Sequence, residues 1–269
     1  MSTEPVSTEP HSERSFDELV READEADVSG WDFSWFEGRA TELRPSWGYQ
    51  RLLAERLNAG GATLDLQTGG GEVLAGALRM AGRPPGMSAA TEAYPPNVLK
   101  ATRLLHPLGT TVVAAPDEPP FPFADGAFDL VTSRHPVKAH FAEIARVLAP
   151  GGTYFAQHVG PASVFELVEY FLGPQPEEVR RGRHPQDERA EAEAAGLHVL
   201  DLRLERLRME FHDIGAVVHF LRKVIWMVPG FTVDAYLPQL RALDEQIRSE
   251  GPFVAHSTRF LIEARKGRD

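Results

Sequence analysis

The sequence predicts an α/β fold: a doubly wound, mostly parallel seven-stranded sheet with helices on both faces and a helical cap. Three observations predict it. Short apolar runs alternate with amphipathic stretches from Thr63 to Ala264, the pattern of strands covered by helices on both sides. The first run, Leu64-Asp65-Leu66, leads through Gln67-Thr68 into the glycine turn Gly69-Gly70-Gly71. Acids then stand after the next two runs, at Glu92 and Asp117.

The elements follow in order. Met1 to about Val28 is rich in Ser, Thr, Pro and acids and repeats Ser-Thr-Glu-Pro at Ser2–Pro5 and Ser7–Pro10. Residues 1–28 are therefore expected to form a disordered acidic tail, within which Phe16, Leu19 and Val20 have the spacing to dock a short helix. Residues 29–62 form a second segment. It opens on Trp31-Asp32-Phe33-Ser34-Trp35-Phe36, four aromatics that are costly to leave in water. They either seal a core edge or close over a ligand. Trp47 to Leu57 reads as an amphipathic helix ended by Gly60-Gly61.

From residue 63 onward, strands are expected near Thr63–Gln67, Met87–Thr91, Thr111–Ala115, Phe128–Ser133, Gly152–His158, Leu197–Leu204 and Phe253–Ala264. Helices are expected near Gly70–Arg79, Pro96–His106, Lys138–Leu148, Ala162–Leu172 and Pro185–Ala195. Between the last two strands, at about 209–250, Glu210–Val228 and Val233–Ser249 read as cap helices divided by Pro229-Gly230. Phe211, Ile214, Val218 and Leu221 recur there at helical spacing, either as a packed face or as one wall of a pocket.

Composition narrows the function. The 269 residues suffice for one large core plus a cap. The formal net charge of −11 speaks against a broad grip on nucleic acid. The absence of cysteine excludes disulfides and thiolate metal sites. A cytoplasmic location fits best. Ile214 to Val228 is interrupted by His219, Arg222 and Lys223, so no membrane segment is expected, and the start of the chain lacks a secretory pattern.

A dinucleotide fold needs a third glycine, but Gly69-Gly70-Gly71 is followed by Glu72-Val73-Leu74. Two later runs point elsewhere. Asp117 to Val131, with Phe121-Pro122-Phe123-Ala124-Asp125-Gly126, resembles the segment before the fourth strand of ubiquinone/menaquinone-type and type 11 methyltransferases. Phe141 to Gly152, ending in Leu148-Ala149-Pro150-Gly151-Gly152, is similar to their helix and turn before the fifth strand. Thr63 to His158 thus resembles a class I S-adenosylmethionine-dependent methyltransferase, with its Rossmann-like sheet.

The resemblance implies S-adenosyl-L-methionine as cofactor. Asp65, Gln67, Thr68, Gly69, Gly71, Glu92, Ala93, Asp117, Glu118 and Ser133 are its candidate contacts. In the family, residues at the places of Glu92 and Asp117 bind ribose and adenine, and the glycine turn passes under the cofactor. Position 67 departs from the pattern, because the family's first glycine is Gln67 here. Its side chain must point away from the cofactor or contact it, and it either grips the methionine end or narrows the pocket.

The candidate catalytic residues are His135 and His158, each at a strand end where a histidine acts as a base, a contact or a structural group. Arg134, Gln157, His212, Asp213 and His219 are further polar groups. Arg180-Arg181-Gly182-Arg183-His184 is a basic loop. No metal ligand set is expected.

The expected function is methyl transfer to a small-molecule acceptor, with no bulk nucleic acid and no membrane. The alternatives are a non-catalytic S-adenosylmethionine-binding protein with regulatory or interaction duties, and a methyltransferase acting on RNA or protein.

Overall fold

The computed structural model describes residues 14–30, 33–83 and 85–268. The expectation for residues 1–13, and for Trp31, falls outside these.

In chain order the helices are α1 (Phe16–Glu25), α2 (Tyr49–Leu57), α3 (Glu72–Met80), α4 (Pro95–Leu105), α5 (Phe141–Val147), α6 (Phe165–Leu172), α7 (Glu177–Arg181), α8 (Pro185–Ala194), α9 (Ile214–Lys223) and α10 (Leu237–Glu250). The strands are β1 (Ala40–Glu42), β2 (Ala62–Leu66), β3 (Met87–Glu92), β4 (Thr110–Ala114), β5 (Phe128–Arg134), β6 (Leu148–Val159), β7 (Leu197–Phe211) and β8 (Phe253–Lys266). No helix among the described residues is long and apolar enough to cross a membrane.

The chain divides into two compact units. The larger comprises Arg44–Ser163, Pro176–Leu207 and Ser257–Asp269; the smaller comprises Met1–Leu43, Val164–Gln175 and Arg208–His256. Strands β7 and β8 each lend residues to both.

The strand order is β1-β7-β8-β6-β5-β2-β3-β4. β2 is parallel to β3 and β5, β4 to β3, and β6 to β5, while β8 is antiparallel to β6. The direction of winding reverses between β2 and β5, the place where an open α/β sheet leaves a crevice at its strand ends.

Period-two alternation builds the larger unit's two cores. Leu130, Phe155 and Leu261 face one way and pack with Leu53 and Leu57 of α2 and Leu74 and Leu78 of α3. Val131, Tyr154 and Phe260 face the other way and pack with Phe141 and Ile144 of α5. Each such side chain contributes about 1.5–3 kcal/mol when fully buried. Tyr49 stacks on Phe155 at 5.2 Å, and the Arg56 guanidinium lies 3.7 Å from the same ring.

Three differences from the sequence expectation have physical causes. The sheet has eight strands rather than seven. The added β1 is three residues long and pairs Ala40, Thr41 and Glu42 with Phe211, Glu210 and Met209, which is too short to show a period. Secondly, Glu210 and Phe211 belong to β7, not to a cap helix. Leu207, Met209 and Phe211 are buried with Arg208 exposed between the first two, a strand alternation that overlaps the helical spacing of Phe211, Ile214 and Val218. Helix α9 starts only after Asp213, whose Oδ1 accepts from the Ala216 N–H at 2.8 Å and caps it. Thirdly, α5 begins at Phe141, not Lys138, because the preceding loop is held by side chains described below.

In the smaller unit, α1 is closed by a Ser15–Glu18 capping box and buries Leu19, Val20 and Ala23. Phe36 is buried. Trp35 stacks on His219 of α9 at 4.2 Å, and Phe36 meets the same ring edge-on. Trp35 and Phe36 thus pack with the core of their own unit, while Phe33 is exposed.

Candidate functional site

One turn organises the carboxyl ends of β2, β3 and β5. Asp65, buried on β2, accepts the Thr132 hydroxyl at 2.6 Å. Burial pushes its carboxyl up to about 6, against that hydrogen bond. Between about pH 4 and 6 the folded state therefore keeps a proton that the unfolded chain has lost. The stability this supplies at low pH disappears as pH rises through the folded pKa. Asp65→Asn is expected to raise the stability of the ligand-free protein at pH 7 by roughly 1–3 kcal/mol and to flatten its dependence between pH 4 and 6. Thermal melts of both proteins across that range check it; parallel curves would refute it.

After β2 the backbone turns at Gln67 with φ 54, Gly69 with φ 63 and Gly71 with φ 83. The Gln67 N–H donates to Thr91 Oγ1 at 3.2 Å and the Thr68 N–H to the Thr91 carbonyl at 2.9 Å, tying the turn to β3. The Thr68 hydroxyl is buried and, with Thr132, acts on the Asp65 carboxyl against the effect of burial. A Cβ added at Gly69 would meet nothing within 4 Å, so this side of the turn faces open space. At Gly71 a Cβ would lie 2.9 Å from the Leu105 side chain, so that glycine lets α3 and α4 approach.

Glu92, buried at the end of β3, holds the turn in place. Its Oε2 accepts from the Gly69 N–H at 2.8 Å and its Oε1 from the Tyr94 N–H at 2.9 Å. Ala93 beside it is exposed. Asp117, past β4, is partly buried. Burial raises its pKa, and the Glu92 and Glu118 charges add to the rise while His140 opposes it. Glu118 is largely exposed, with Oε2 3.4 Å from His140 Nε2. Ser133 on β5 is buried and donates its hydroxyl to the Leu66 carbonyl at 3.0 Å.

The Gln67 side chain is committed to the loop after β5. Its Oε1 accepts from the Val137 N–H at 2.7 Å, and its Nε2 donates to the Lys138 carbonyl at 3.2 Å. Arg183 donates to the Val137 carbonyl at 3.2 Å. One peptide segment is thus pinned from two sides. The sequence expectation, a side chain pointing away from the cofactor or contacting it, named no partner for Gln67 within the chain.

His135 is half-buried with φ 59. Its Nε2 lies 2.8 Å from Gln157 Nε2, and Gln157 Oε1 accepts the Trp47 indole N–H at 2.8 Å. His158 is buried with both ring nitrogens engaged, Nδ1 at 2.5 Å from Glu188 Oε2 and Nε2 at 2.9 Å from the Tyr154 hydroxyl. In that arrangement it has no free lone pair, and its contacts are those of a packed, hydrogen-bonded core histidine. A cleft lined by Val137, Lys138, His158, Arg183, His184 and Glu188 lies alongside. Of the basic loop, Arg181 pairs with Asp187 at 2.7 Å. In the smaller unit Asp213 is the α9 cap, and His219 is buried with neither nitrogen hydrogen-bonded among the described residues.

Sequence reasoning did not single out Trp47 or Tyr94. Trp47 contributes an indole N–H and Tyr94 a backbone N–H, and neither contact leaves a spacing signal.

Residues 64–156 match the methyltransferase-domain family. The chain carries a methyltransferase domain. Domains of its class use S-adenosylmethionine, and the mostly parallel sheet with its antiparallel β8 is their fold. Solved structures share that fold at low identity. A putative methyltransferase from Bacillus halodurans is 18% identical, with TM-score 0.57 over 81% of this chain and 98% of that one. The YcgJ protein from Bacillus subtilis is 16% identical, with TM-score 0.57 over 82% and 99%. The [4+2]-cyclase SpnF is 19% identical, with TM-score 0.50 over 82% and 80%. No curated protein matches the chain.

Proposed function

We propose that this methyltransferase domain acts on a small-molecule acceptor, with its cofactor held at the turn after β2. The observation that carries the placement is Glu92. It ends β3, the strand next to the β2–β5 switch point, with each carboxylate oxygen already oriented by a backbone N–H, and each oxygen keeps a lone pair for a ribose hydroxyl. The open space beside Gly69 suits a ligand passing over the turn. Asp117 is the candidate acceptor for an adenine amino group, with Ala93 and Glu118 flanking. Asp65 and Ser133 are hydrogen-bonded within the sheet and support the turn from beneath.

When bound, S-adenosylmethionine supplies an already activated methyl group. The protein's own task is to hold the acceptor in line and exclude water, and positioning of this kind supplies about 7–11 kcal/mol in well-oriented systems. The acceptor is read as a small molecule because the formal net charge is −11, which disfavours a polyanionic substrate.

Calorimetry with S-adenosylhomocysteine, followed by methyl transfer to a metabolite library, tests the proposal. Binding together with turnover of a small molecule is expected. Binding without turnover of any metabolite would favour a sensor, and salt-sensitive methylation of RNA would replace the acceptor class. The fold does not settle the chemistry alone, since a cyclase shares it.

A further inference from the structure

The protonation state of His135 is dictated from a distance. The Trp47 indole N–H is a donor only, so the Gln157 oxygen must face it. The Gln157 amide nitrogen then points at His135 Nε2, 2.8 Å away. An N–H donor facing a ring nitrogen requires a lone pair there. The imidazole is therefore neutral, with its proton on Nδ1. Trp47 and Gln157 are both 3% exposed, so water does not compete for the relay. The His135 N–H also donates to the Gln157 carbonyl at 2.7 Å, which fixes the ring's origin.

The surroundings reinforce this state. Burial depresses the His135 pKa well below the usual histidine range, and the charges of Arg134, Arg259, His158 and Arg183 depress it further. The residue also holds a left-handed backbone, φ 59, a strain found preferentially where a side chain must be aimed. Nδ1 has no hydrogen bond among the described residues, although it is not sealed from solvent.

We infer that His135 is a neutral hydrogen-bond donor that presents Nδ1–H, within a cationic surround of Arg134, Arg183 and Arg259, to a ligand carboxylate, and that it is not the base of the reaction. This rests on the methyltransferase reading only for what the ligand is. The carboxylate comes either from the amino-acid end of the cofactor or from the acceptor.

Nitrogen NMR of the intact, histidine-labelled protein tests the tautomer without any ligand. A protonated Nδ1 and a bare Nε2 are expected, unchanged from about pH 5 to 8. A protonated Nε2 or titration in that range would overturn the inference, whether or not the protein transfers methyl groups. Two titrations then locate the carboxylate. A shift of the Nδ1–H signal with S-adenosylhomocysteine but not with 5′-methylthioadenosine, which lacks the amino-acid end, assigns it to the cofactor. A shift with benzoate added to protein saturated with S-adenosylhomocysteine assigns it to the acceptor. If no carboxylate moves the signal, the inference fails.

His135→Phe should weaken the responding ligand about tenfold to a hundredfold, as expected for a lost hydrogen bond to a charged group. His135→Asn, whose amide replaces the Nδ1 donor, should retain most of the affinity. Equal loss in both would also overturn the assignment.

Discussion

Glu92→Ala is expected to weaken S-adenosylhomocysteine binding by about 1.5–3 kcal/mol, roughly tenfold to a hundredfold, while the protein stays folded. Two effects act together. The ligand loses a charged acceptor, and the turn loses the groups that accept from the Gly69 and Tyr94 N–H donors. Glu92→Gln separates them. It retains one acceptor oxygen but sets an NH2 against one of the two backbone donors, so it should fall between wild type and alanine. Calorimetry at one pH measures all three. Wild-type affinity in a folded Glu92→Ala protein would remove Glu92 from the site.

Two substitutions at Gln67 should differ in stability while both weaken binding. Gln67→Ala discards both hydrogen bonds to Val137 and Lys138 yet keeps a side chain at φ 54, a backbone region that costs L-residues roughly 1–2 kcal/mol. Gln67→Gly discards the same bonds but relieves the strain, so it should melt above Gln67→Ala. Both release the loop after β5. Both should therefore lower S-adenosylmethionine affinity, about threefold to tenfold for a net loss near 1 kcal/mol. Binding of 5′-methylthioadenosine should fall less. If Gln67→Gly binds either ligand more tightly than wild type, the side chain obstructs the site and the clip is incidental.

The sequence showed much of the frame for a definite reason. Strand identity is written in local apolar runs, so β2 through β6 appear close to where they were expected. The glycine turn and the acid after β3 also announce themselves locally, because a backbone at positive φ and a strand-end acid are one-residue requirements. The boundary of α9 was misread because Phe211 satisfies a two-residue and a nearly four-residue period at once, and only its pairing with Ala40 decides between them.

By itself, then, the sequence determined the α/β class, the winding of β2 to β6, the place of the turn, and the choice of Glu92 and Asp117 as candidates. All of these depend on neighbours within a few residues or on spacing along the chain. Tertiary structure decided what the polar side chains do. Gln67 reaches Val137 and Lys138 some seventy residues on, and Trp47 fixes His135 through Gln157, 110 residues away. A hydrogen bond has direction and a reach of about 3 Å. Its partner is set by which strand lies beside which, and that information arises only when the sheet is assembled.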